Sequence, residues 1–179
     1  MENINKEKSN ITPHQTMKIS VNVNGKVIEK EISVRMLLSD FLRHELGLKG
    51  THVGCEHGIC GACTVIIDDK SARSCIMFAI QVDGAKIRTI ESVAENNGDL
   101  NYLQQAFQDN HALQCGYCTP GLIMNILNQF ETKKSLDFSD EGIRLMISGN
   151  LCRCTGYVNI VKAVRQAAKS IGIKNKGTL

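Results

Sequence analysis

Gly54-Cys55-Glu56-His57-Gly58-Ile59-Cys60-Gly61-Ala62-Cys63 is the stretch that decides the fold. It spaces three cysteines as Cys-x4-Cys-x2-Cys, and Cys75 follows at what reads as the end of a strand. Such a loop can wrap a [2Fe–2S] cluster. Three thiolates converge from a short segment while backbone N–H groups turn inward toward sulfur. Gly54, Gly58 and Gly61 are the expected source of the unusual φ values and close approach this needs. A zinc ion is the alternative, but zinc favours paired short spacings and fits a gap of four then two poorly.

The flanks of this loop read as a compact sheet. Lys18–Val23 and Val27–Ile32 alternate apolar and polar residues, and Asn24-Gly25 between them is a strong hairpin signal. Ser33 is the expected cap of a helix with Val34, Leu37, Leu38, Phe41, Leu42 and Leu46 on one face, ended by Gly47. After the loop, strands are expected at Thr64–Ile67 and Arg73–Cys75 around a turn at Asp68-Asp69, with a last strand at Lys86–Ile90.

Beyond Ile90 the apolar period becomes helical. Asp99 is the expected cap of a helix carrying Leu100, Leu103, Ala106 and Phe107. Thr119 is the expected cap of a second, with Pro120 at its first position and Leu122, Ile123, Ile126, Leu127 and Phe130 on one face. Ser139 caps a third, with Asp140 and Glu141 in its first turn. A fourth runs from Gly156 to Ile171, striped by Tyr157, Ile160, Val161, Val164 and Ala168. The fold class is α+β, and the boundary falls around Glu91–Gly98. The expected organisation is a disordered extension (1–15), a ferredoxin-like unit (16–92), a helical unit (93–172) and a tail (173–179).

The helical unit holds the other four cysteines, Cys115-x2-Cys118 and Cys152-x-Cys154. This spacing alone is less specific, and a structural zinc stays open. Cys118-Thr119-Pro120-Gly121 and Cys154-Thr155-Gly156-Tyr157 each put a Thr between the last Cys and an expected helix start. Unpaired N–H groups there would favour an anionic cluster from two sides.

Composition narrows the function. The chain has 179 residues, 42% hydrophobic, with no Trp and a formal charge of +3 without basic clustering, which argues against a nucleic-acid surface. Two oxidised clusters at about −2 each would bring the loaded chain near −1. Met1–Gln15 lacks the apolar core of a secretory leader and no run reaches membrane-spanning length, so a cytoplasmic location is expected. Eight cysteines there read as metal ligands rather than disulfides. His57 reads as a surface residue inside a loop already supplied with four Cys, and His52 and His111 as solvent-facing or hydrogen-bonded near a loop. Glu56 adds negative charge near the loop, and Lys49 and Arg153 read as interface or solvated charges.

Three stretches, Gly54–Cys63, Gln114–Gly121 and Gly149-Asn150-Leu151-Cys152-Arg153-Cys154-Thr155-Gly156-Tyr157, together resemble the iron–sulfur subunit of the xanthine oxidase family of molybdenum hydroxylases. The run Cys75–Ala79 and the run Ala112-Leu113-Gln114 look closest to small subunits of carbon monoxide dehydrogenases and aldehyde-oxidising (glyceraldehyde) dehydrogenases. The resemblance covers Met17 to Ile171. It implies a β-grasp domain followed by a four-helix domain, and an electron-transfer subunit of an oxidoreductase with no catalytic residue of its own. By the same resemblance Cys55, Cys60, Cys63 and Cys75 hold one [2Fe–2S] cluster, nearer FAD on a medium partner subunit. Cys115, Cys118, Cys152 and Cys154 hold the other, beside the molybdenum cofactor of a large partner subunit. Gln114 matches the glutamine that reaches the pterin edge, the alternative being a buried amide that orders the cysteine loop. The partners are expected to be separate chains, in a dimer of heterotrimers.

Overall fold

A computed structural model describes residues 12, 15–95, 97–133 and 135–175. The expected extension at 1–15 therefore lies outside the described residues save positions 12 and 15, as do 176–179 of the tail. Strands β1 (Thr16–Val23) and β2 (Lys26–Ser33) form the expected hairpin, in register from Thr16↔Ser33 to Val23↔Lys26. Asn24 and Gly25 both take positive φ, +52° and +83°, which matches the right-handed twist of the strands.

The next segment differs from expectation. Residues 34–37 are not helical, because Leu37 pairs with Phe78 in an antiparallel bridge and is held extended at φ −69°, ψ 147°. Helix α1 is one short turn, Leu38–Asp40, continued by a π-type turn at Phe41–Glu45 whose closing bond runs from Leu46 N–H to Phe41 C=O, 3.1 Å. Ser33 ends β2 instead of capping a helix, while Gly47 ends the turn at φ +71° as expected.

Strands β3 (Thr64–Ile67) and β4 (Lys70–Arg73) flank Asp68 and Asp69, both at positive φ. Cys75 sits in a 3₁₀ turn, Ser74–Ile76, not at a strand end. Strand β5 (Lys86–Arg88) is shorter than expected, since a further 3₁₀ turn takes over at Ile90–Ser92. The sheet order is β2-β1-β5-β3-β4, with β1 and β5 parallel and the other neighbours antiparallel. This mixed sheet curls over a core of Ile19, Val21, Phe41, Leu42, Val65 and Ile87.

Helices α2 (Tyr102–Asp109), α3 (Thr119–Thr132), α4 (Asp140–Met146) and α5 (Val158–Ser170) follow. The two-residue strands β6 (Ser135–Leu136) and β7 (Lys174–Asn175) pair in parallel beside them. The cap of α2 is Asn101, not Asp99: its Oδ1 accepts from Leu103 and Gln104 N–H, and Gln104 returns a bond to Asn101 N–H. Leu100 is consequently outside the helix and exposed. Thr119 does not cap α3; Cys118 holds the N-cap position and Thr119 is the first residue of the helix. Ser139 caps α4 through Gly142 N–H, as expected. Tyr157 precedes α5 at φ +67°, outside the helix, but packs against the same core as its stripe.

Strand β3 joins the two halves. Val65 faces the sheet's own core and Ile66 faces the helical core of Leu103, Phe107, Leu122 and Ile160. Around this contact Asn128 of α3 donates to Asp69 C=O (2.7 Å) and accepts from Ser71 N–H (3.2 Å). Arg88 grips Glu131 with two bonds of 2.7 and 3.0 Å.

Candidate metal centres

The first cysteine loop turns on three consecutive reversals, Glu56, Gly58 and Gly61, at φ +57°, +76° and +74°. Gly54 contributes space instead: a Cβ there would lie 3.2 Å from Cys60 Sγ. Glu56 is more than a charge near the loop, since its backbone makes one of the turns. The loop brings Cys55 beside Cys60, with Cys60 N–H 3.4 Å from Cys55 Sγ. The N–H groups of Cys60 and then His57 pull the Cys55 thiol down to about 6. Cys75 meets Cys63 on the buried side, both under 4% exposed. Burial, then the neighbouring Cys63 thiol, pushes Cys75 up to about 11. His57 is exposed, as expected of a surface residue.

The second set lies where α3 and α5 begin. Cys115 and Cys154 Sγ are 3.6 Å apart, and both residues are exposed. Cys118 meets Cys152 further in, where burial, then the Cys152 thiol, pushes Cys118 up to about 12. Burial raises Cys152 too, but the Thr155 hydroxyl at 3.1 Å and the N–H groups of Thr155 and Cys154 outweigh it and leave the thiol below its ordinary value. Thr155 also accepts from Tyr157 N–H at 3.1 Å, so it orders the turn into α5. The Tyr157 hydroxyl accepts from Cys152 N–H at 2.8 Å.

In both sets the eight free thiols meet two by two. Two thiolates on one tetrahedral metal at about 2.3 Å stand roughly 3.8 Å apart, close to the Cys115–Cys154 separation. A mononuclear ion asks for four ligands round one point, and among the described residues no three His, Cys, Asp or Glu converge so. Paired sulfurs suit a binuclear core with one pair on each metal. Burial and the neighbouring thiol raise Cys75 and Cys118, and a cationic core of either kind would favour their thiolates.

The two centres are bound to each other by contacts that local sequence reading misses. Leu151 N–H donates to Cys60 C=O at 2.8 Å. The Tyr117 hydroxyl donates to Val53 C=O at 2.8 Å. His52 stacks on the Tyr117 ring at 4.6 Å, and its Nδ1 lies 2.8 Å from Tyr117 C=O. Gly121, in the first turn of α3, lies against the first loop, for a Cβ there would be 2.3 Å from Gly61 C=O. The glycine in Thr119-Pro120-Gly121 was the available signal, but its partner lies far upstream. Gln114 is exposed beside Cys115.

Comparison with known proteins identifies both halves. Residues 21–89 match the 2Fe-2S iron-sulfur cluster binding domain, and residues 89–165 match the [2Fe-2S] binding domain. The caffeine dehydrogenase subunit gamma of Pseudomonas sp. (strain CBB1) is 54% identical over 156 residues, 87% of this chain and 93% of that protein. The nicotinate dehydrogenase small FeS subunit of Eubacterium barkeri is 44% identical over 151 residues, 84% of this chain and 94% of that one. Among solved structures, quinoline 2-oxidoreductase from Pseudomonas putida 86 superposes with a TM-score of 0.81 at 40% identity, covering 89% of this chain and 99% of that one.

Proposed function

The chain belongs to the family of small iron–sulfur subunits of molybdenum hydroxylases, and from that premise we propose how its residues divide the work. Cys55, Cys60, Cys63 and Cys75 hold one [2Fe–2S] cluster, and Cys115, Cys118, Cys152 and Cys154 hold the other. The observation that carries this is the pairing of the sulfurs: Cys55 with Cys60, Cys63 with Cys75, Cys115 with Cys154 and Cys118 with Cys152. Each pair would ligate one iron of a bound cluster. Bound there, each cluster supplies a one-electron oxidation–reduction couple.

The chain is an electron-transfer subunit of an oxidoreductase complex and contributes no catalytic group. Its residues hold, tune and shield. Backbone N–H groups of His57, Ile59 and Cys60 face Cys55 Sγ, and the Thr155 hydroxyl faces Cys152 Sγ. Such donors stabilise thiolate and set the potential of whatever it binds. Gly54, Gly58 and Gly61 let the first loop close on its ligands. The units proposed are 16–92 and 93–172.

The complex supplies the other cofactors. We assign the molybdenum cofactor to a large partner facing exposed Cys115, Cys154 and Gln114, with Gln114 toward the pterin. FAD belongs to a medium partner facing the Cys55 loop, and the whole is a dimer of heterotrimers. The chain passes electrons singly from the first partner to the second. Among substrate classes the relatives named for caffeine, nicotinate and quinoline favour a nitrogen heterocycle. No helix among the described residues is long and apolar enough to cross a membrane. Eight free thiols suit a reducing compartment, which supports a cytoplasmic location.

Affinity purification of the chain from its native cells tests the assembly. The expected result is co-elution with two larger chains, one carrying molybdenum and one flavin. A chain that elutes alone, free of molybdenum and flavin, defeats the subunit reading.

A further inference from the structure

We propose that Asn150 is a positioning residue that holds Leu151 N–H against Cys60 C=O, and so maintains the bonded route for an electron between the two cysteine sites. The inference rests on the ligand assignment above. Cys60 belongs to one site, and Leu151 directly precedes Cys152 of the other. The 2.8 Å bond between them completes a path from Cys60 Sγ to Cys152 Sγ that is covalent except for this one hydrogen bond. One electron leaves the Cys152 site, which is oxidised, and arrives at the Cys60 site, which is reduced. No bond is made or broken, and no proton moves.

The Leu151 side chain is half exposed. On one side of the crossing Cys152 N–H is held by the Tyr157 hydroxyl at 2.8 Å, and on the other a buried polar cluster anchors it through Asn150. Asn150 is 1% exposed, and its Nδ2 donates to Gly61 C=O at 2.9 Å and to Thr64 Oγ1 at 3.3 Å. Thr64, 2% exposed, accepts from Arg73 Nη1 at 2.6 Å and donates to Gly61 C=O at 2.5 Å. Arg73 Nη2 then reaches Gly149 C=O at 2.7 Å. The cluster thus grips Gly149 and Asn150 from one side and Gly61 from the other. These residues flank the two ends of the Leu151–Cys60 bond.

The test uses the full chain loaded with iron and reduced by one electron. Intersite exchange is read from the temperature broadening of its electron paramagnetic resonance signals. The spin–spin splitting of the fully reduced form gives a second reading. Asn150→Ala is expected to keep the parent's iron and sulfide but to exchange several-fold more slowly, because the Leu151–Cys60 bond then loses its buried anchor at Gly61 and Thr64. Thr64→Val, which removes only the hydroxyl, is expected to slow exchange likewise, and Thr64→Ser to restore it. Thr64→Val also decides the matter should Asn150→Ala lose iron. Arg88→Gln breaks the remote Arg88–Glu131 bridge and is expected to leave exchange unchanged. Parental exchange in iron-replete Asn150→Ala or Thr64→Val overturns the proposal. So does equal slowing in Arg88→Gln, which would mean that any loosening of the two halves suffices. A parent protein without iron defeats the ligand assignment instead, so the two failures are distinguishable.

Discussion

Cys118→Ala is expected to remove the electron paramagnetic resonance signal of the second site, leave that of the first, and stop electron flow from molybdenum to flavin in the assembled complex. Cys118 is the buried partner of Cys152, and the pair closes the inner side of the site at the start of α3. Without it one iron is left with a single thiolate from the chain, and the three sulfurs that remain cannot complete the ligand set. The first site has its own four cysteines on the loop and the 3₁₀ turn at Cys75, so its signal survives. The iron content should fall by about half. Flavin reduced directly by an artificial donor should still turn over. Loss of both signals, or of neither, contradicts the division of the eight cysteines into these two sets.

Gly61→Ala is expected to be among the most damaging changes that leave every cysteine in place. A Cβ at Gly61 would lie 2.3 Å from Gly149 C=O and 2.7 Å from Asn150 Nδ2. The backbone there has φ +74°, which costs a residue with a side chain about 1–3 kcal/mol. Forcing apart packed backbone adds about 1–3 kcal/mol. At roughly 2–4 °C per kcal/mol for a chain of this size, the thermal midpoint should fall by about 10 °C. The displaced segment leads into Cys152 and Cys154, so the second site should also lose iron although Gly61 belongs to the first loop. Gly25→Ala separates the two causes. Gly25 has φ +83° but nothing within 4 Å of a Cβ, so it carries the backbone cost alone. Equal midpoints for the two variants would show that the close approach at Gly61 is not what holds the halves together.

These two variants also mark what could be read from the sequence. The ligand spacing of the first loop, the Asn24-Gly25 hairpin, the Asp68-Asp69 turn and the succession of sheet and helices are local signals, written in residues a few positions apart. The departures have distant causes. Residues 34–37 would continue a helix on their own pattern, but the bridge from Leu37 to Phe78 draws them out. Asp99 and Asn101 are both good caps, and the choice fell to Asn101 because Gln104 stands three residues on to return the bond. Thr119 and Tyr157 stand at helix starts that the residue pattern places only approximately: α3 begins at Thr119 itself and α5 one residue after Tyr157. Asn150, Arg73 and Tyr117 act across the seam between the halves, and nothing in their neighbours in sequence names Gly61, Gly149 or Val53 as partners. Gly121 carried a signal in its motif but not the reason, which is the carbonyl of Gly61.

The most direct test of the account is a metal and sulfide count on the full chain purified anaerobically from iron-replete cells. Two irons and two acid-labile sulfides for each of the two matched domains are expected, with two distinct signals on reduction. A chain that carries stoichiometric zinc, little iron and no labile sulfide would contradict it.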